Sequence, residues 1–563
     1  MRWQLLIVVV SLVAIGLLLA GQQPEVFQQA AAPIQPTTGG TYNEALVGVF
    51  GRLNPILAYF NQADRDVNRL IFSGLVRFDD RGLPIGDLAE SWGISQDGRV
   101  YNFSIRQNAN WHDGEPVTSK DVDFTANLLK DDTMPVPDDL REFWKQVDVI
   151  QLDEKTVQFR LPEPYAPFLD YVTFGVLPEH LLGNLSPAEI VDADFNLAPV
   201  GSGPFMFDRL LSENDEITGV VLKSYKDYYA EPPFIDEVIF RYFPDSNSAL
   251  AAYQQDVVQG ISQLTPETFR ETISNPDMSI YSGRLPQLTL LYLNLGDDDL
   301  PFFQDSSVRR ALMTGLNRQW MVDNLLESQA LVADGPIFPG SWAYYEDIER
   351  ISYDPVTALS ILKEAGYTVP AGGSSIREKD GVALAFELVH PATPQHTSIA
   401  EAIQRDWGKL GVDVQLIPVT YDELITNHLE PRDYQAALVD LNLTGSPDPD
   451  PYPFWDQAQT TNGQNYSQWD DRQASEYLER ARITADIDER ARAYRNFQVR
   501  FTNEMPALPL FYPVYSYAVD AAVQGVTIGP LYDLSDRLST IASWFLVARR
   551  SAATPAANST ATP

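Results

Sequence analysis

The stretch VALAFELVHPATPQHTSIAEAIQRDWGKLGVDVQLI, residues 382–417, decides the fold class. Leu384, Phe386 and Leu388 alternate with Ala385 and Glu387, the period of a strand. Ile399, Ile403, Trp407 and Leu410 then recur at helical spacing and share one face. Gly411 supplies a stop. Val412, Val414 and Leu416 alternate again as a second strand. The helix between them is long enough to carry the chain back over a sheet, which is what a parallel crossover requires. The class read from this unit is α/β.

Neighbouring segments add antiparallel hairpins and further helices. Tyr101, Phe103 and Ile105 alternate with polar residues after the turn signal Gln96-Asp97-Gly98. Val157, Phe159 and Leu161 do the same after Asp153-Glu154-Lys155. Thr118 with Asp121 reads as a capping box ahead of Val122, Ala126 and Leu129. Asp354-Pro355 reads as an N-cap followed by a first-turn proline, with Leu359 and Leu362 on the helix and Gly366 ending it.

The chain has 563 residues, no cysteine, and 40 basic against 77 acidic residues, a formal charge of −37. A surface so acidic opposes phosphate-backbone binding, so no nucleic-acid partner is expected. The missing cysteines exclude disulfides, thiolate nucleophiles, iron–sulfur clusters and cysteine zinc sites. No 20–50-residue repeat is visible, which disfavours solenoids and propellers. At the N-terminus, Arg2 precedes an apolar run from Leu5 to Ala20, the pattern of an export signal or anchor (residues 1–21). Leu18-Leu19-Ala20-Gly21 resembles a lipoprotein cleavage box, but Gln22 stands where the lipidated cysteine would be. Residues 22–40 read as a flexible tether and 549–563 as a disordered tail.

No catalytic constellation emerges. The histidines His112, His180, His390, His396 and His428 lack helical zinc-ligand spacing, and His390 with His396 reads as part of a surface loop. No nucleophile elbow or phosphate-binding loop occurs, and Gly201-Ser202-Gly203 reads as a tight turn. Asp448, Asp450 and Asp456 lie in a proline-rich stretch without the glycine and distal glutamate of a calcium loop. No cofactor and no metal are expected.

Gly82-Leu83-Pro84 through Ser91-Trp92, Trp111-His112-Asp113-Gly114 through Asp121-Val122, and Pro199-Val200-Gly201-Ser202-Gly203-Pro204-Phe205 closely resemble motifs of the family 5 extracellular solute-binding proteins. These are the peptide- and nickel-type receptors of ABC importers. Asn54-Pro55, Leu70 to Val76, Val308 to Leu312, Tyr353-Asp354-Pro355 and Asn465-Tyr466-Ser467 continue the likeness in order. It implies a periplasmic-binding-protein type II-like architecture: two main lobes around a ligand cleft, with a smaller extra lobe. Lobe I would be 41–80, 196–285 and 505–548, the extra lobe 81–195, and lobe II 286–504. It also implies a non-enzymatic receptor outside the membrane, delivering a peptide or peptide-like solute to permease subunits by hinge closure. A membrane-anchored sensor or scavenging receptor of the same fold, or an exported carboxylate-dependent hydrolase, are the alternative readings.

Carried over by position, the ligand residues would be Asn54, Leu57, Tyr59 and Phe60 after the opening motif, Phe143 and Trp144 in the extra lobe, and Asp440, Asn442, Thr444 and Asp448 in the second lobe. Peptide receptors of the family place an Asp in that last loop to pair with the ligand's amino group. Here Gly445 or Pro447 occupies the place, according to which Asp-Pro is aligned. Asp440 or Asp448 is expected to substitute only through a rearranged loop. Nickel binding is disfavoured because no histidine falls in these segments. Trp111, Asp113, Gly114, Gly201 and Gly203 read as structural, and Tyr466 and Trp469 as core or cleft wall.

Overall fold

The computed structural model describes residues 35–445 and 447–547. The signal or anchor, most of the tether and the 549–563 tail lie outside the described residues. The crossover unit forms as its periodicity dictates. Strand Ala385–Pro391 pairs in parallel with Asp413–Val419, and helix Pro394–Gly408 connects them. Ile399, Ile403, Trp407 and Leu410 are all buried, and the Trp407 indole N–H donates to the Leu312 carbonyl at 2.9 Å. Gly411 takes a positive φ of 80°, open to glycine at little cost.

These strands belong to a 12-stranded sheet of mixed direction. Its path runs Asp413–Val419, Ala385–Pro391, Ala436–Asn442, Gln287–Leu293, Ala507–Asp520, Gly260–Ile261, Thr41–Val47, Glu237–Phe243, Glu216–Ser224, Phe205–Glu213. The 14-residue strand Ala507–Asp520 is the common member. Its first part pairs with Gln287–Leu293 and Ala330–Val332, and its second with Met278–Arg284 and Gly260–Ile261. Central strands covered on both faces need continuous apolar sequence rather than alternation. Gln287–Leu293, QLTLLYL, and the ALPLFY start of Ala507–Asp520 supply it.

A separate four-stranded antiparallel sheet, ordered Ala89–Ile94, Val100–Ile105, Thr156–Arg160, Asp148–Asp153, holds both hairpins read from the sequence. The helix caps form as read. The Asp121 carboxylate accepts from the Thr118 N–H at 2.7 Å, and Asp354 accepts from the amides of Val356 and Thr357. Gly39 and Gly40, read as the end of a flexible tether, are hydrogen-bonded instead: the Gly39 N–H donates to Phe234 at 2.7 Å.

The Gly201-Ser202-Gly203 stretch is a close approach rather than a strained turn. A Cβ at Gly201 would overlap the Ile71 carbonyl oxygen, and one at Gly203 the Leu70 carbonyl. Neither residue has a positive φ.

Candidate ligand-binding site

A cavity of about 1460 Å³ opens where the two parts of the large sheet meet. One wall is the helix Gln62–Ile71, which presents Arg65, Asn68 and Arg69. A second is residues 527–542, and a third the 77–87 hairpin with Tyr228 and Tyr229. Ser282, Gly283 and Arg284 close it at the end of strand Met278–Arg284, with Gly445 and Pro447 opposite.

Ion pairs fix these walls. Arg65 pairs with Asp533 at 3.0 Å and Arg69 with Asp536 at 3.1 Å. Asp533 and Asp536 also cap the short helix Leu534–Leu538, so one turn serves both purposes. On the third wall the Arg106 guanidinium lies 5.6 Å from the Tyr229 ring and donates from Nε to the Asp87 carbonyl at 2.6 Å. The Tyr229 hydroxyl bonds the Asp87 carboxylate. Burial raises the Asp87 carboxyl pKa, opposed by that hydroxyl and by Arg69, Arg77 and Arg106.

Of the ten residues carried over from the family, Tyr59 lines this cavity. Asn54 is fully buried: its Oδ1 accepts from the Ile56 N–H and its Nδ2 donates to Asn196, both at 3.0 Å. It holds a loop and is withdrawn from ligand. Leu57 is half-buried in the core, and Phe60 is 78% exposed, away from the cavity wall. Trp144 is fully buried among Phe159, Phe168 and Phe174, which removes it from any solute. Phe143 stacks on Tyr171 with centroids 3.9 Å apart. Asn442 and Thr444 are exposed, and the Asn442 side chain accepts from the Thr444 N–H.

The acidic members are engaged within the protein. The Asp440 carboxylate accepts from Thr289 Oγ1 at 2.6 Å and lies 3.0 Å from His396 Nε2. Asp448 is buried against Arg490 at 2.5 Å, and Asp450 pairs with Arg482 at 2.9 Å. His390 and His396 are not a surface pair: His390 is buried within its strand, and His396 is held between Thr393 and Asp440. Trp469 is core, packed on Phe497 and Phe501. Sequence reasoning missed Arg77, Arg106, Tyr229, Arg284 and the 527–542 wall, none of which carries a pattern beyond its residue type.

The Asp448 loop also touches the 166–172 turn. The Asp448 N–H donates to Asp170 Oδ2 at 3.1 Å. Asp170 faces Asp448 and Asp450 from that loop, Arg490 from helix Ile487–Glu504, and Tyr532 from the 527–542 wall. Burial, then the Asp448 charge, raises its pKa well above the ordinary 3.8. A raised carboxyl stabilises the fold fully below its unfolded pKa, and this contribution is lost as pH rises through the folded value. Asp170→Asn is therefore expected to stabilise at neutral pH by about 1 kcal/mol, a gain that vanishes near pH 3–4. Urea midpoints of both proteins against pH check this; equal midpoints at pH 7 would contradict it.

The family described as "Bacterial extracellular solute-binding proteins, family 5 Middle" matches residues 84–466. The chain belongs to this family. It is 27% identical over 524 residues to the "Oligopeptide-binding protein AppA" of Bacillus subtilis, covering 91% of this chain and 92% of that relative. It is 27% identical over 469 residues to the "Dipeptide-binding protein" of Escherichia coli, covering 79% and 84%. Among solved structures it resembles the Bacillus subtilis oligopeptide-binding protein AppA in complex with a nonapeptide, at TM-score 0.64 and 25% identity over 91% of this chain and 100% of that one. Members of this family are solute-binding proteins, and the mixed α/β fold with its large sheet is theirs. Among the described residues no helix is long and apolar enough to cross a membrane.

Proposed function

We propose that this chain is the extracytoplasmic receptor of an ABC importer and that its solute is a peptide or peptide-like molecule. The cavity of about 1460 Å³ carries the reading, because it is roomy enough for several residues of an extended peptide. The relatives' recorded ligands, oligopeptides and dipeptides, point the same way. The lobes are those given above: 41–80, 196–285 and 505–548; 81–195; and 286–504. Supporting this division, the four-stranded sheet falls wholly within 81–195, and the chain passes between the other parts along 284–287 and strand Ala507–Asp520. Two extended crossings form a hinge, and a solute touching both lobes shifts the open–closed equilibrium by its differential affinity. The N-terminal segment exports the chain or holds it at the outer face of the membrane, where the closed form docks on permease subunits.

The test is a thermal-shift screen of the purified chain against pools of di- to nonapeptides, sugars and nickel, followed by small-angle scattering with any hit. Peptide at a hundred times its Kd is expected to stabilise by about 2.7 kcal/mol and to shrink the radius of gyration. Stabilisation by sugars or nickel alone would defeat the peptide reading. A radius unchanged by a bound peptide would defeat hinge closure.

A further inference from the structure

Several arginines drawn into the protein have acceptors for their guanidinium groups. Arg309 donates to the carbonyls of Phe303, Glu504 and Met505, and Arg318 to those of Ala333, Ile351 and Pro509. Arg537, Arg490 and Arg482 hold carboxylates. Arg284 is different. Its Nη1 donates to the Pro339 carbonyl, and its guanidinium carbon lies 5.3 Å from the Phe338 ring. Among the described residues Nε and Nη2 have no acceptor and no ion pair. Those two nitrogens are not sealed away from solvent. Burial lowers the Arg284 pKa from its usual value, and the titratable neighbours that act on it are the tyrosines Tyr512, Tyr532 and Tyr344, which are neutral phenols at pH 7.

Position turns this into a recognition argument. Arg284 lines the large cavity and also a narrow side pocket that opens beside it. Among the described residues that line this side pocket Arg284 is the one that carries a charge, with Phe338, Leu443, Leu531, Tyr532 and several prolines around it. A half-desolvated cation with free donors in an apolar setting is costly unless an anion meets it. The opposite wall differs: Arg77 and Arg106 there face Asp79, Asp80, Asp87 and Glu231, a mixed set with no such imbalance. In the 440–450 loop, Asp448 and Asp450 are already paired with Arg490 and Arg482, and the Asp440 carboxylate is turned to Thr289 and His396.

We propose that Arg284 is the binding residue for a carboxylate of the solute, and that the solute is held by this carboxylate end without an ion pair to its amino end. The guanidinium offers Nε–H and Nη2–H as a fork for the two carboxylate oxygens. Apolar atoms next to the carboxylate enter the slot of Phe338, Leu531 and Tyr532. The proposal rests on the peptide reading above and narrows it.

The test compares three random tripeptide pools by isothermal titration of the full chain: free peptides, C-terminal amides and N-acetylated peptides. Free and N-acetylated pools are expected to bind alike, and the amidated pool at least tenfold more weakly. Arg284→Gln should bring free peptides down to the level of the amides, with Arg284→Lys in between. Amides binding as well as free acids would overturn the proposal while leaving the peptide reading intact, and so would loss of binding on N-acetylation. No binding by any pool would remove the peptide reading itself and this assignment with it. The comparison of pools on the native chain decides the matter even where a variant does not fold.

Discussion

Arg537→Met is expected to destabilise the protein by about 3–5 kcal/mol, the range for breaking a buried ion pair from one side. Arg537 is 1% exposed in its side chain and bridges two carboxylates that are as buried. Its Nη2 donates to Glu44 Oε1 at 2.6 Å and to Asp66 Oδ2 at 2.9 Å, and its Nη1 to Asp66 Oδ1 at 2.7 Å. The hydroxyls of Tyr42 and Tyr517 approach the other Glu44 oxygen at 2.8 Å. Removing the cation leaves Glu44 and Asp66 together without a counter-charge, and burial already raises the Asp66 pKa. The same network ties strand Thr41–Val47, helix Gln62–Ile71 and the C-terminal 534–538 turn, so its loss also loosens a cavity wall. Urea unfolding of the two proteins measures the effect. Adding Glu44→Gln and Asp66→Asn to Arg537→Met should recover part of the loss, because the uncompensated charges are then gone. A single-variant loss below about 1 kcal/mol would mean that water or a proton compensates the site, and the network would not be the anchor described.

This network shows where sequence reading ends. The 382–417 unit was legible because a helix face and two alternating strands are local patterns whose period the backbone imposes. The hairpin at 96–105 and the caps at Thr118 and Asp354 were legible for the same reason. The partnership of Glu44 with Arg537 spans 493 positions, and no local period encodes it. Site residues fared worse than elements. Asn54 and Trp144 come from segments that the family likeness singled out, but hydrogen bonding and packing turn them inward, which residue type and spacing do not reveal. Asp448 reads as a free acid in a proline-rich loop until Arg490, 42 positions on, is seen beside it. Arg284 carries no motif, and its meaning lies wholly in what fails to surround it. The paired histidines misled in the opposite direction: His390 sits in a strand that both neighbours cover, so a polar residue near a proline was buried rather than exposed.

Motifs far apart in sequence converge at one point, and that point yields the second large expected effect. The Trp111-His112-Asp113-Gly114 stretch meets Gly201-Ser202-Gly203 against the carbonyls of Leu70 and Ile71. The Gly201 N–H donates to His112 Nδ1 at 3.2 Å, and His112 Nε2–H donates to the Gly203 carbonyl at 3.0 Å. One ring nitrogen accepts and the other donates, so the clamp requires a neutral imidazole. Burial lowers the His112 pKa from 6.5 to about 4, against smaller opposing effects of the Gly203 carbonyl and Asp113. A depressed pKa means stability that is complete above 6.5 and lost as pH falls toward the folded value. At about 1.4 kcal/mol per pH unit the loss reaches roughly 3 kcal/mol by pH 4. His112→Gln keeps one donor and one acceptor but cannot titrate. The difference in unfolding free energy between wild type and His112→Gln, measured in urea from pH 7 to pH 4, should therefore shrink or reverse by that amount as the medium is acidified. Other titrating groups cancel in this difference to the extent that they are untouched by the substitution. Asp113, which pairs with His180 at 2.8 Å, is the neighbour most able to interfere, so the same series on an Asp113→Asn background separates the two. A difference flat across this range would show that the imidazole takes up its proton at the same pH in the folded protein as in the unfolded chain, so that the clamp does not hold it neutral, and the junction of the three motifs would have to be held by packing of the glycines alone.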